Sequence, residues 1–403
     1  MKQHLLILGL MACAISSCSN DSDTPEQQNE FVPIELSAQQ FRAAENANSL
    51  GWKMFNTVVN NSDGTNIAMS PMSAAQTMYI LVNGAASTTL DELLDALDAK
   101  DIDVENFNSM AKNINDRLTT IDKTATVKLC NSFWLTSDIV KSDFTQRISD
   151  TYGADIFYSN RERIVDDANK WAEESTDGII NKIMSQPYDI AIANVLYFRG
   201  IWKEKFDVTH THKGRFHNHD GNTAIVDFME NTINNVTYTK NDLYTAVSLP
   251  FGNGAFTFDI ILPEKDKNTS DCTAEILTAG GTVFRQNSLT NLKITLPKFD
   301  IKSSIDLIPV LKELGINQLF DYKCDLSEML IPESNDFAIL DYRQATSIKI
   351  DEEGAIAASA TIGNGEILAP APALILNVDR PFIFSIRETS SSAVLFLGKI
   401  DKL

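Results

Sequence analysis

The chain has 403 residues, of which 43% are hydrophobic and 22% charged, the balance of a globular protein with a large core. Its 54 acidic and 34 basic residues give a formal net charge of −20, so phosphate backbones and heparin-like polyanions should repel it. We therefore expect no nucleic-acid partner.

The N-terminus has the features of an export signal. Lys2 is followed by an apolar run over residues 5–15, much shorter than the roughly 20 residues that a membrane-spanning helix needs. The run leads into Ile-Ser-Ser-Cys at residues 15–18, which resembles the lipobox of bacterial lipoproteins, where the cysteine is acylated. The alternative is a secretory signal cut after Ser16. The polar, acidic residues after Cys18 favour lipidation, and they loosely resemble the run associated with surface display.

This pattern predicts a signal peptide over residues 1–17, a lipid on Cys18 and a bacterial outer-membrane lipoprotein, whose domain faces either the periplasm or the outer surface. Residues 18–35 lack hydrophobic periodicity and contain Pro25, Pro33 and several acids, so we expect a flexible tether there. Residues 36–403 contain no linker, repeat or low-complexity block, which predicts one domain.

Helical patterns come first in this domain. Apolar residues at helical spacing predict helices over residues 41–59, 70–82, 88–97 and 166–175, the third with a capping box formed by Thr89 and Glu92. Residues 125–135 alternate as a strand, with Val127, Leu129, Asn131 and Phe133 on one side. Residues 190–198 form a nearly continuous apolar run, which is typical of a strand buried on both faces.

Strands gather in the second half of the chain. The predicted strands cover residues 243–250, 255–262, 292–297, 345–350, 381–386 and 393–398. An Asn-Gly pair at 253–254 predicts a hairpin between the first two. This order of elements favours an α+β fold with large antiparallel or mixed sheets.

Six separated blocks, in order, resemble one known family, the serpins. They cover residues 66–73 (pattern N-x-x-x-S-P-x-S), 169–180 (N-x-W-V-x-x-x-T-x-G-x-I), 194–206 (N-x-x-Y-F-K-G-x-W-x-x-x-F), 296–320, 380–384 and 397–400. The resemblance extends from about residue 36 to the C-terminus. It implies the serpin fold, with about nine helices, three β-sheets and an exposed reactive-centre loop. It also implies a monomer that inhibits proteases without a cofactor.

In inhibitory serpins the target protease cleaves the loop and stays attached as an acyl-enzyme, while the freed loop inserts as a new strand in the main sheet. The resemblance places the hinge of that loop at Glu352, Glu353, Gly354, Ala355, Ile356, Ala357, Ala358, Ser359, Ala360 and Thr361. Alternation in a strand would give one face only small, uncharged residues: Ala355, Ala357, Ser359, Thr361, Gly363 and Gly365. Such a face can enter a packed sheet without burying a charge.

Two hinge positions depart from the inhibitory pattern. Ala355 lies where Thr or Ser is usual, and Ile356 lies where Glu is usual, although neither change adds a proline or an inward charge. A non-inhibitory serpin acting as a binding or structural envelope protein is therefore the alternative. Composition alone would also allow a simple Ala/Ser/Gly linker here.

Counting the family's fourteen residues past the hinge glycine predicts cleavage between Leu368 and Ala369, with Glu366 and Ile367 as alternatives if the register differs. Leucine before the bond suits elastase-, chymotrypsin- or subtilisin-like serine proteases, with cysteine proteases as a second class. Trypsin is unsuitable, since its acidic pocket requires a basic residue and residues 352–377 contain none.

The resemblance assigns two further sites. Ser70, Ser73 and Asn194 match a hydrogen-bonded shutter beneath the main sheet, and Gln344 stands where many members have a shutter histidine. Gln344 can donate and accept hydrogen bonds but cannot become charged. Trp202 matches the buried tryptophan of the breach, where the loop enters the sheet.

The histidine and cysteine patterns offer little support for other chemistry. His210, His212, His217 and His219 cluster, but their spacing is weak for zinc and we expect no metal. A Ser-His-Asp hydrolase is rejected because G-x-S-x-G is absent, so no catalytic residue is assigned. Cys130, Cys272 and Cys324 are too few for a disulfide framework, and at least one cannot pair within the chain.

Overall fold

The computed structural model of the protein describes residues 29–62, 64–137, 139–188, 190–284, 288–331, 338–339, 341–355 and 374–403. These residues form eight α-helices: α1 (Ala38–Asn60), α2 (Pro71–Val82), α3 (Ser87–Ala96), α4 (Val104–Leu118), α5 (Ser142–Tyr152), α6 (Ile164–Ser175), α7 (Thr269–Thr278) and α8 (Leu307–Glu313). Short 3-10 turns lie at Val208–His210 and Gln318–Phe320.

The strands, in chain order, are β1 (Ile67–Met69), β2 (Ala125–Leu135), β3 (Asp155–Tyr158), β4 (Ile190–Ile201), β5 (His212–His217), β6 (Thr223–Lys240), β7 (Tyr244–Pro250), β8 (Phe256–Pro263), β9 (Ser288–Pro297), β10 (Phe299–Asp306), β11 (Tyr342–Ile350), β12 (Gly354–Ala355), β13 (Leu374–Asn377), β14 (Phe382–Glu388) and β15 (Val394–Ile400). The α+β class is confirmed. All the helices and strands predicted above are present, with shifted ends.

The six-stranded sheet has the order β10-β11-β12-β4-β2-β3. We call it the main sheet. β4 and β2 are antiparallel over their whole shared length, from Ala125 opposite Gly200 to Leu135 opposite Ile190. β10 and β11 are also antiparallel. The main sheet therefore consists of two blocks, β4-β2-β3 and β10-β11, that meet between β4 and β11.

The other nine strands form one hydrogen-bonded sheet, with the order β1-β15-β14-β8-β7-β6-β9-β13 and with β5 on β6. The resemblance implied three sheets, whereas the described strands form two. The physical reason is the length of β6, 18 residues, which pairs with β5 at one end and with β7 at the other. The register shift in its pairing with β9, between Ile233 and Val236, separates the part of β6 that pairs with β5 from the part that pairs with β7.

Two apolar clusters hold the main sheet. The main core lies on the side of α1 and α2, and a smaller cluster on the other face packs against α6. In β4, Ile192 and Leu196 belong to the main core, while Ala193 and Val195 belong to the α6 cluster. β4 is therefore buried on both faces, as its continuous apolar run predicted.

Two local expectations differ from the structure. α3 begins after Ala86 without a side-chain cap, so the capping box is wrong. The Thr89 hydroxyl instead accepts from the Asp325 N–H at 2.9 Å, and Glu92 accepts from the Asn317 and Gln318 N–H groups at 2.6 and 2.7 Å. Both side chains accept hydrogen bonds from backbone N–H groups that are more than 200 residues away in the sequence, and a local sequence pattern cannot predict such partners.

The second difference concerns the tether. The sequence predicts that residues 29–35 belong to a flexible segment, but Ile34 is only 5% exposed and Phe31 packs against the main core. Ordered contacts therefore begin before residue 36. Among the described residues, no helix is long and apolar enough to cross a membrane.

Candidate functional site

The site is the seam between β4 and β11. The two strands pair directly, in parallel, from Tyr342 opposite Ile192 to Thr346 opposite Leu196. Above that point β12 lies between them, with Ala355 opposite both Ile350 on β11 and Gly200 on β4. Among the described strands, the seam is thus closed in its lower half, and β12, which contains the first residues of the predicted hinge segment, lies in its upper half.

A tight turn brings β12 into the seam. The N–H of Asp351 donates to the carbonyl of Gly354 at 3.0 Å, and the N–H of Gly354 donates back to Asp351 at 3.2 Å. The Asp351 carboxylate also accepts from the Glu353 N–H at 3.0 Å. Gly354 has φ +145°, and a Cβ there would lie 2.0 Å from the carbonyl oxygen of Gly200. Glycine is therefore required at this turn.

Ala355 is 2% exposed and belongs to the main core. Its neighbour Ile350 points to the same face, which is the α2 side of the main sheet. A strand continuing from Ala355 would direct every second residue into this core. Ala355 is the first residue of the small-residue face predicted from the sequence, and its side chain already points into the main core.

Glu352 is held at the turn by contacts with two residues that are distant in the sequence. Its carboxylate accepts from Lys298 at 2.7 Å and from the Thr211 hydroxyl at 2.6 Å, and its side chain is only 9% exposed. Burial favours the neutral acid, but the hydrogen bonds from Lys298 and Thr211 and the Lys298 charge outweigh it, so the pKa of Glu352 is lowered. Glu353 pairs with Lys205 at 2.6 Å.

Trp202 is buried directly beneath this turn. Its indole N–H donates to the Asp351 carbonyl at 2.9 Å, and its backbone N–H donates to the Glu353 carbonyl at 2.9 Å. The ring stacks on Phe251 with centroids 4.5 Å apart. One side chain thus connects the hinge turn to the aromatic cluster at the top of the seam.

The predicted shutter residues lie at the lower half of the seam. Gln344 and Asn194 are directly opposite each other on β11 and β4. The Gln344 amide accepts from the Ser70 N–H at 2.7 Å and donates to the Ser70 carbonyl at 2.9 Å. It also donates to Asn194 at 3.4 Å. All three residues are buried, so this amide links β11 to the start of α2.

Ser70 and Ser73 form the N-terminal turn of α2. The Ser70 hydroxyl caps the helix by accepting from the Ser73 N–H at 3.1 Å, with Pro71 in the first turn. The Ser73 hydroxyl is buried and has no hydrogen-bond partner among the described residues. The structure therefore brings Ser73 to the seam through its backbone, whose carbonyl accepts from Asn194 at 3.4 Å.

Three further residues join this network. Asn194 donates to Asn131 on β2 and to the Thr77 hydroxyl on α2, and Asn131 donates to Gln76 at 3.3 Å. Asn131 carried a signal in the sequence, because it is a polar residue on the apolar side of the alternating strand. Gln76 and Thr77 fall within a run that reads as ordinary helix, so the sequence did not distinguish them.

Several predicted residues lie outside the described residues. They are Cys18, the remaining hinge positions Ile356, Ala357, Ala358, Ser359, Ala360 and Thr361, the bond between Leu368 and Ala369, and the alternatives Glu366 and Ile367. The described residues stop at Ala355 in the seam and resume in β13, which pairs with β9 in the other sheet.

The three cysteines of the domain are free thiols. Burial raises the pKa of Cys272 to about 12 and that of Cys324 to about 11, and it also raises the pKa of Cys130. These thiols are protonated at neutral pH and are poor nucleophiles. Within the described part of the chain, no group of three or more His, Cys, Asp or Glu side chains could hold a metal ion.

Comparison with known proteins identifies the family. The family model described as "Serpin (serine protease inhibitor)" matches residues 45–403. Iripin-8 of Ixodes ricinus is 26% identical over 92% of this chain and 96% of its own length, and Serpin-ZX of Arabidopsis thaliana is 28% identical over 84% and 92%. The crystal structure of Serpin48, a highly specific serpin of the insect Tenebrio molitor, is 26% identical, with a TM-score of 0.80 over 92% of this chain and all of Serpin48. The chain belongs to the serpin family, whose members are generally serine protease inhibitors.

Proposed function

We propose that this serpin is a suicide-substrate inhibitor of serine endopeptidases, with cysteine endopeptidases as a second class of target. The protease's nucleophile attacks the carbonyl carbon of Leu368, the peptide bond to Ala369 breaks, and the amine of Ala369 leaves with a proton. The acyl-enzyme that results is trapped when the freed segment inserts between β4 and β11.

The observation that carries this proposal is the position of Ala355. It pairs with both β11 and β4 at the top of the seam, and its side chain is buried in the main core. This residue of the predicted hinge therefore lies where an inserted strand would begin. Insertion would extend an existing pairing downward and would not have to start a new one.

The register supports the same path. Six residues below Ile350 on β11 is Gln344, and six residues below Gly200 on β4 is Asn194. These two residues are opposite each other, so a strand continuing from Ala355 in unchanged register would place its sixth following residue, Thr361, between them. A threonine hydroxyl can donate and accept hydrogen bonds. It could thus replace the contact between Gln344 and Asn194 that insertion must break.

The free energy is sufficient for an irreversible step. About a dozen new strand hydrogen bonds at about 1 kcal/mol each would release on the order of 10 kcal/mol. This is comparable to the whole stability of an ordinary domain, about 5–15 kcal/mol. The interactions that insertion must break are the five direct residue pairs between β4 and β11 and the side-chain contacts of the shutter.

Leucine before the cleaved bond supports targets of elastase-, chymotrypsin- or subtilisin-like specificity. We further propose that Cys18 carries a lipid that holds the protein on a bacterial outer membrane, with the signal peptide 1–17 removed. The support for this anchor is the lipobox-like sequence. Mass spectrometry of the protein purified from membranes would show the acyl chains on Cys18, whereas an unmodified N-terminus after Ser16 would refute lipidation.

The inhibitor proposal is tested by mixing the protein, without residues 1–18, with pancreatic or neutrophil elastase and with chymotrypsin or subtilisin. A band on a denaturing gel at the summed masses would support covalent trapping, and the mass of the released C-terminal peptide would identify the bond. Cleavage at Leu368 without such a band would contradict the proposal and favour the non-inhibitory alternative.

A further inference from the structure

The N-terminal arm, residues 29–36, lies against the body of the molecule. Ile34 is buried, and Phe31 and Leu36 pack against the main core. The Ile34 N–H donates to the Ser390 hydroxyl at 2.8 Å. The family match begins at residue 45, inside α1, so these arm residues lie before the matched segment.

Two α4 side chains hold the middle and the end of the arm. Arg117 donates to the Val32 carbonyl at 2.9 Å, and Asn113 donates to the Glu35 carbonyl at 2.9 Å. These contacts recognise the arm's backbone, so they fix its course along α4 toward the residues that lead into β2.

The other end of the arm makes a different set of contacts. The Asn29 amide donates to Asp122 at 2.9 Å, and its oxygen accepts from the Lys123 N–H at 3.0 Å and from the Asn253 amide at 3.5 Å. Asp122 is 2% exposed. Asn29 therefore bridges the start of β2 to the turn between β7 and β8.

That turn supports the top of the seam. Asn253 donates its N–H to the Asp122 carboxylate at 3.1 Å, and its amide donates to the Ile121 carbonyl at 2.8 Å. Gly252 donates to the Ile201 carbonyl on β4 at 2.8 Å. Phe251 stacks on Trp202. A chain of direct contacts thus runs from Asn29 through this turn to the tryptophan beneath the hinge.

The arrangement of the two blocks of the main sheet indicates whether the arm favours or opposes opening of the seam. Opening the seam requires the β4-β2-β3 block to separate from the β10-β11 block, and Ala125 at the start of β2 is paired with Gly200 at the top of β4. Asn253 bonds Asp122 and Ile121 directly, and the arm reinforces this connection between the start of β2 and the nine-stranded sheet through Asn29 and through the contact of Ile34 with Ser390. Contacts that hold the β4-β2-β3 block against the nine-stranded sheet would oppose the movement that opens the seam.

We propose that Asn29 is a positioning residue that makes the N-terminal arm a clip on the upper seam, slowing loop insertion in the uncleaved protein. The inference rests on the proposed function, since insertion is what opening of the seam serves. The arm thereby maintains the state in which the loop is available to a protease.

Asn113 provides a matched control. Asn29→Ala and Asn113→Ala each remove one asparagine amide that bonds the arm, but Asn113 touches neither Asp122 nor the β7–β8 turn. Each lost hydrogen bond is equivalent to about a fivefold change in an equilibrium. We expect Asn29→Ala to speed amide hydrogen exchange at residues 197–201 and 347–350 at least about fivefold. Asn113→Ala should leave it within about twofold.

Exchange is measured by mass spectrometry on the uncleaved protein without protease, so the result does not depend on inhibition. Equal exchange in the two variants, or no change in Asn29→Ala, would overturn the proposal. If Asn29→Ala does not fold, Asn29→Asp keeps the oxygen that accepts from Lys123 and places a second carboxylate beside Asp122, and it should produce the same local increase. A protein that shows this increase but traps no protease would refute the proposed function, while the arm would still be shown to restrain the upper seam.

Discussion

The two halves of the seam between β4 and β11 are held by different kinds of contact. The lower half is closed by direct strand pairing and by buried amides and hydroxyls, with Gln344 and Asn194 at its centre. The upper half is held by ion pairs and an aromatic stack around the hinge turn, with Glu352 and Trp202 at its centre.

This difference indicates how a sheet can be both stable and able to open. Hydrogen bonds between amides and hydroxyls can be exchanged for those of an entering strand, because each partner both donates and accepts. In the proposed mechanism, the ion pair between Glu352 and Lys298 keeps the turn in place while the strand beyond Ala355 inserts. On this account, insertion proceeds downward from the hinge, and the lower half yields last.

The largest expected effect comes from the first inserted position. Ala355 is already buried in the main core, so Ala355→Arg would either bury an unpaired guanidinium there or expel β12 from the seam, and both outcomes remove the pairing from which an inserted strand would extend. We expect the covalent complex with the target protease to be lost while cleavage of the loop continues, as measured by densitometry of denaturing gels. Ile375→Arg is the control, since Ile375 is 63% exposed on β13 and remains outside the main sheet. An unchanged yield of complex in Ala355→Arg would falsify the insertion path.

The next effect separates the upper half from the lower half. Glu352→Lys replaces the ion pair with Lys298 by two positive charges in a site where the carboxylate is 9% exposed. Because Lys298 is 35% exposed, the loss should be smaller than that of a fully buried pair, about 2–3 kcal/mol, measured as the free energy of unfolding in urea. The charge-swapped double variant Glu352→Lys, Lys298→Glu should recover much of the loss. If the double variant is no more stable than the single one, the ion pair does not hold the turn.

The lower half is tested at Gln344. Gln344→Leu leaves the Ser70 N–H and carbonyl without their buried partner, at about 1–3 kcal/mol for each unpaired group. Gln344→His is the matched variant, because a neutral imidazole also donates and accepts. Its protonated form cannot accept from Ser70, so the variant's stability should fall as pH drops below about 6.5. A histidine variant with the same pH profile as the native protein would show that this hydrogen bond is dispensable.

The smallest effect is the acid response of the hinge turn. The pKa of Glu352 in the folded protein is lowered from 4.5, so its contribution to stability is present above that pH and is lost as pH falls through the folded-state pKa. Urea unfolding between pH 3 and 6 should show a smaller acid-induced loss for Glu352→Gln than for the native protein. Parallel pH profiles would mean that this carboxylate adds no stability.

How much the sequence could predict differs between these two halves. The fold class, the strands of the seam and the proximity of Ser70, Asn194 and Gln344 follow from motif blocks and from apolar patterns. The partners of Glu352 do not, because Lys298 and Thr211 come from distant segments whose side chains meet only in the folded protein. Asn29 was assigned to a flexible tether for the same reason, since its partners Asp122, Lys123 and Asn253 are 93 or more residues away.

The central claim is that the cleaved loop becomes a strand of the main sheet. The most direct test is the melting temperature of the intact protein against that of the protein cleaved within residues 366–369. A gain on the order of 10 kcal/mol, divided by the unfolding entropy of a domain of this size, would raise the melting temperature by about 10–15 °C. An equal or lower melting temperature after cleavage would show that the loop does not insert.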